Sequence, residues 1–94
     1  MIAYKNLPSP HIADSVGWAY YKLGKYDKAL IYLEKSATEL STNGVVNNHL
    51  GNLYLKLGRK REAIFQWNRV IDLDAKNEYI DIDKIKSKIK KYDN

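Results

Sequence analysis

Residues 10–43, PHIADSVGWAYYKLGKYDKALIYLEKSATELSTN, and residues 44–77, GVVNNHLGNLYLKLGRKREAIFQWNRVIDLDAKN, are two copies of one 34-residue unit laid end to end. At matching places stand Gly17 and Gly51, Tyr20 and Tyr54, Lys22 and Lys56, Leu23 and Leu57, Gly24 and Gly58, Ala29 and Ala63, and Asn43 and Asn77. In each copy a first stretch sets apolar or small residues at helical spacing: Ile12, Val16, Ala19, Tyr20, Leu23, then Val46, Leu50, Leu53, Tyr54, Leu57. Gly24 and Gly58 follow, where a helix commonly ends in a left-handed residue that glycine adopts without a Cβ penalty. Second stretches, 26–40 and 60–73, repeat the three-and-four spacing through Ala29, Leu30, Leu33, Ala37 and through Ala63, Ile64, Trp67, Val70, Ile71. The pattern predicts two helix hairpins. Gly17, Gly51, Ala29 and Ala63 are small because paired helix backbones approach closely, with Tyr20 and Tyr54 filling the space beside them.

The run from Gly17 through Trp18, Ala19, Tyr20, Tyr21, Lys22, Leu23, Gly24, Lys25, Tyr26, Asp27 and Lys28 to Ala29 resembles a tetratricopeptide repeat, whose length is 34 residues. The second copy agrees in Leu50, Gly51, Tyr54, Gly58 and Ala63, with Trp67 at the usual large aromatic site. The resemblance implies an all-α, right-handed solenoid of helix-turn-helix units: two repeats, 10–43 and 44–77, then a capping helix in 78–94. Ala13 and Asn47 stand where the family often has a large apolar residue, and Ser41 and Ala75 where it often has proline, so weaker local packing is expected there. Asp14, Ser15, Val16, Gly17, Trp18 with His49, Leu50, Gly51 and Phe65, Gln66, Trp67 further resemble the last repeats of long alphaproteobacterial tetratricopeptide proteins.

Ninety-four residues make one domain, burying about three-fifths to two-thirds of its unfolded surface, so modest stability is expected. There is no cysteine, hence no disulfide and no cysteine-ligated zinc. The sequence shows no apolar run of signal-peptide or membrane-spanning length, which makes the cytoplasm the default expectation. Residues 1–77 hold 11 Lys and Arg against 7 Asp and Glu, and residues 78–94 hold 5 against 4, so the tail is not a cationic arm. In that tail Ile82, Ile85, Ile89 and Tyr92 form an apolar stripe among Lys84, Lys86, Lys88, Lys90 and Lys91. The stripe reads first as a cap over the last repeat, with the lysines facing water, and acidic-partner binding and a membrane-surface role are the lesser alternatives. No specific nucleic-acid role follows from it.

His11, Asp14 and Ser15 share one helix face by spacing, but neighbours on one helix rarely give the geometry of a hydrolase triad. Their routine reading is Ser9 as N-cap, Pro10 in the first helical position and Asp14 favoured by the helix dipole. Two histidines, His11 and His49, make a poor metal site, and no phosphate loop follows a strand. No catalytic residue, metal or cofactor is assigned.

What remains is binding. In the family the first helix of each pair lines a concave groove, which here implies His11, Asp14, Trp18, Tyr21 and Lys22, then Val45, Asn48, Asn52, Leu55 and Lys56, as the surface for a protein or peptide. Trp18 and Tyr21 are the favoured anchors; the competing reading packs Trp18 on the neighbouring helix. The family's chaperone-tail adaptors grip a carboxylate with lysine, asparagine and arginine, whereas the matching positions here are Asp14, Trp18, His49, Tyr79 and Asp83, so that partner does not fit. The segment 1–6, with Ile2 and Tyr4, reads as the remnant of a preceding helix. A first helix without a neighbour would expose Val16, Ala19 and Tyr20, predicting self-association or a place in a longer array.

Overall fold

The computed structural model describes residues 7–73 and 80–93. Over them run five helices: α1 (Pro10–Lys22), α2 (Tyr26–Glu39), α3 (Gly44–Lys56), α4 (Lys60–Leu73) and α5 (Ile82–Tyr92). The expectations placed on Ile2, Tyr4, Ala75, Asn77 and Tyr79 fall outside the described residues.

Both hairpins turn the same way for the same reason. Gly24 and Gly58 have φ of 76° and 77°. Their own amides and the ones that follow close the helix ends: Lys25 N donates to the Tyr20 carbonyl at 2.9 Å and Gly24 N to that of Tyr21 at 3.0 Å. Arg59 N and Gly58 N repeat the pair on Tyr54 and Leu55 at 2.8 and 3.0 Å. This double closure satisfies carbonyls that the helix leaves open and reverses the chain. Within each hairpin the helices meet at a glycine. A Cβ on Gly17 would lie 2.7 Å from Leu33 Cγ, and one on Gly51 would lie 2.7 Å from Trp67 Nε1. Leu33 and Trp67 stand 34 residues apart, so one close approach is built twice with different partners.

The hairpins stack through α2 on α3, and α5 lies against α4. A single core runs through Leu33, Leu50, Leu53, Trp67, Val70 and Ile85. Residues that depart from the repeat pattern are used, not merely tolerated. Ala13 is fully buried, and Asn47, 2 % exposed, donates through Nδ2 to the carbonyls of Ser41 and Asn43 at 3.0 and 2.9 Å. Ser41 O also accepts from Arg69 at 2.6 Å. The loop that lacks proline is thus held by hydrogen bonds, correcting the expectation of local weakness.

Caps differ from the reading in detail. Pro10 opens α1, but the Ser9 side chain makes no cap; its carbonyl accepts from Ala13 N at 2.7 Å. Asp14 lies beyond the first turn, so its role is not the helix dipole. Asn43 caps α3 by accepting from Val46 N, and Asp81 caps α5 by accepting from Lys84 N, each at 3.1 Å. On α5, Ile85 is buried and Ile82, Ile89 and Tyr92 are half-buried, as the stripe requires. Lys88 departs from the other lysines: it is half-buried, while Lys84, Lys86, Lys90 and Lys91 face water.

The outer side of α1 has no helix against it among the described residues. Ile12 is 56 % and Leu23 70 % exposed, whereas Val46, one period after Ile12, is 2 % exposed beneath α2. Ala19 is exposed; Val16 and Tyr20 are half-buried.

Candidate functional site

The helices α1 and α3 bring together residues far apart in sequence. Asp14 on α1 and His49 on α3 are joined by His49 Nδ1, which lies 2.9 and 3.0 Å from the two carboxylate oxygens. Their side chains keep 13 % and 18 % of their surface. The carboxylate accepts only, so it fixes the hydrogen on Nδ1. Beside this pair the indole of Trp18 lies parallel to the His49 ring at 4.0 Å and to the Tyr21 ring at 4.4 Å, with interplanar angles of 13° and 6°. Two rings that close and that parallel cannot share one side of the indole without overlapping. Trp18 is therefore sandwiched.

That sandwich follows from local sequence. Asp14, Trp18 and Tyr21 recur at helical intervals of four and three, which stacks them along one side of α1. His49 is the counterpart of Ser15, one period on, and it enters from α3. Parallel aromatic packing adds about 0.5–1.5 kcal/mol per pair beyond area burial. Lys22 extends the cluster, with Nζ 6.0 Å from the Trp18 ring centre. The Tyr21 phenol is pushed above its ordinary range by burial first and then by Tyr26.

The expected groove residues divide accordingly. Asp14, Trp18, Tyr21 and Lys22 form one cluster; His11 is exposed, and its carbonyl accepts from the Ser15 hydroxyl at 3.3 Å. Asp14 thus faces His49, and Ser15 turns back to its own helix, so the triad names do not converge. On α3, Val45, Asn48, Asn52 and Leu55 are half-buried and Lys56 is exposed. Asn52 Oδ1 accepts from Lys88 Nζ at 3.0 Å, which ties α5 to α3. Lys88 also stands over Trp67 at 5.5 Å, and burial, then Lys84, lowers its pKa. Asn48 Oδ1 is covered and has no hydrogen-bond partner among the described residues.

The sequence places His49 at a groove position only where it sets aside a chaperone tail, and it gives Lys88 no place on this face. The signal for Lys88 lay in the period, since it occupies the position of Tyr20 and Tyr54 in a third unit. On another side a cleft of about 440 Å³ opens between α2 and α4, with Glu34, Thr38, Tyr54, Gln66 and Arg69 in its wall and Phe65, 59 % exposed, at its rim. Tyr54 donates to Glu34 at 2.7 Å there. Among the described residues no group of three or more His, Asp and Glu gathers as a metal site, and no helix is long and apolar enough to cross a membrane.

The tetratricopeptide repeat family model matches residues 14–39 and 46–77, one span in each hairpin. No curated protein matches the chain.

Proposed function

The chain belongs to the tetratricopeptide repeat family, and from that premise we propose that it binds a protein or an extended peptide on the face shared by α1 and α3. Repeats of this family are in general protein–protein interaction modules on a non-enzymatic scaffold fold. The observation that carries the finer reading is the Asp14–His49–Trp18–Tyr21 cluster. It holds two successive first helices in one fixed relation, so the face is organised before a ligand arrives, which lowers the ordering cost of binding.

Because both sides of the Trp18 ring are taken, that residue positions the face, and the contacts fall to its neighbours. Tyr21, Asn48, Leu55 and Lys56 offer a phenol, an amide, an apolar surface and a cation to an extended chain. Pull-downs from native extract with the wild-type protein and a Tyr21→Ala, Lys56→Ala variant test this. Loss of the partners with helicity retained supports the reading. Unchanged partners sink it.

A second reading rests on the exposed outer side of α1. Ile12 and Leu23 are open where the second repeat's Val46 is covered by the preceding helix. This favours a terminal module of a longer array, or self-association through α1, with no ligand of its own.

A further inference from the structure

The cations of this protein collect at one end of its helices. The α1–α2 turn carries Lys22, Lys25 and Lys28; the α3–α4 turn carries Lys56, Arg59, Lys60 and Arg61. Lys88 of α5 meets Asn52 of α3, and each stands about one turn before its helix ends, so Lys90 and Lys91 finish at the level of those turns. Leaving aside Lys88, which is half-buried and set back from the end, these are nine cations, all exposed except the half-buried Arg59. Against these nine cations the same end holds Asp27, Glu62 and Asp93. It therefore has net charge +6, while the whole chain has +5 and the remainder −1. The distribution is a polarised edge, not a general basicity.

Between the two turns lies a cleft of about 430 Å³ lined by Gly24, Lys25, Tyr26, Asp27, Lys28 and Leu57. Its wall is apolar at Leu57 and Tyr26 and cationic at Lys25 and Lys28, with Asp27 its one carboxylate. Leu23, 70 % exposed, stands beside it. We propose that this edge docks an acidic protein segment, which sets carboxylates against the lysines and one apolar side chain into the cleft over Leu57. Charge complementarity selects an anionic partner. The cleft selects among anions: a flat bilayer surface does not fill a recess, and a nucleic-acid backbone offers phosphates where this recess asks for an apolar group.

The cleft lies beyond the α1–α3 face, although the cationic edge around it shares Lys22 and Lys56 with that face. The test uses a short fluorescent peptide of Glu and Asp with one central Leu, titrated by anisotropy against the whole chain. The Leu peptide is expected to bind about tenfold tighter than the same peptide with Ser, as burial of one leucine side chain allows. A Lys25→Glu, Lys28→Glu variant is expected to lose about tenfold or more in affinity. Both changes place acid at the start of α2, where the helix dipole favours it, so folding is kept. A Lys84→Glu, Lys86→Glu variant has the same net charge and is expected to bind normally. Equal loss in the two variants, or no preference for Leu over Ser, overturns the proposal. So does equal or tighter binding of phosphatidylserine vesicles or single-stranded DNA. Asn48→Ala, which alters the α1–α3 face and no wall of the cleft, should leave this peptide bound, so failure here and failure of the groove reading are told apart.

Discussion

Asp14 and His49 meet across two helices, with both carboxylate oxygens within 3.0 Å of one ring nitrogen. They belong to different repeats, so the bond helps set the relation of one hairpin to the next, as does the Tyr54–Glu34 bond, which joins α3 to α2. With the Ser41 carbonyl accepting from Asn47 and Arg69, the repeat junction is thereby held at several places.

Removing either partner should loosen the junction measurably. Asp14→Ala is expected to cost about 1–3 kcal/mol, because the donor of the half-buried His49 loses its acceptor. In urea unfolding, the cycle of Asp14→Ala and His49→Ala should show a coupling of about 0.5–3 kcal/mol. Strict additivity would mean that the two side chains do not act together.

The glycines separate two kinds of cost. Gly51→Ala drives a Cβ to within 2.7 Å of the rigid, fully buried Trp67 ring, so a loss of about 1–3 kcal/mol or more is expected. Gly24→Ala meets no neighbouring atom within 4 Å and is charged only for its positive φ, about 1–2 kcal/mol. Thermal melts should rank Gly51→Ala below Gly24→Ala, with near-UV circular dichroism of Trp67 altered only in the former.

Tyr54 gives an alkaline signature. Its phenol is pushed well above the ordinary value of 10.0 by burial first, and then by the hydrogen bond to Glu34. The unfolded chain therefore releases this proton before the folded one does. The corresponding stability is fully present below the unfolded value and is lost as pH rises above about 10 toward the folded value. Denaturation midpoints taken across that range should fall more steeply for the wild-type protein than for Tyr54→Phe. Parallel curves would show that the phenol is not held in its neutral form.

The open side of α1 predicts association. Light scattering at rising concentration should show a dimer or larger species, reduced by Ile12→Glu. A clean monomer at high concentration removes the self-association reading and leaves the terminal-module one.

The period, Pro10, Gly24 and Gly58 made four of the five helices legible, because a helix hairpin writes its turn and its close approach into fixed positions. The stripe Ile82, Ile85, Ile89 and Tyr92 announced α5. The Asp14–His49 pair was not legible. It joins residues 35 apart, one more than the period, and the spacing rules of a single helix say nothing of a neighbour on the next. Asp14 reads from its own helix as a residue favoured by the helix dipole, with the His11, Asp14 and Ser15 triad set aside on geometry, and neither step reaches His49. Asn47 was misread for a related reason: a polar residue at a core position looks like a flaw until the Ser41 and Asn43 carbonyls are placed beside it. Lys88 looked like one more solvated lysine, and only the packing of α5 near Asn52 and Trp67 distinguishes it.

The most direct test of binding on the α1–α3 face is site-specific photo-cross-linking in native extract, with a benzophenone amino acid at Leu55 on that face or at exposed Phe65 on α4. Specific protein adducts from position 55, absent from position 65, are the predicted result. Adducts from position 65 alone would contradict it.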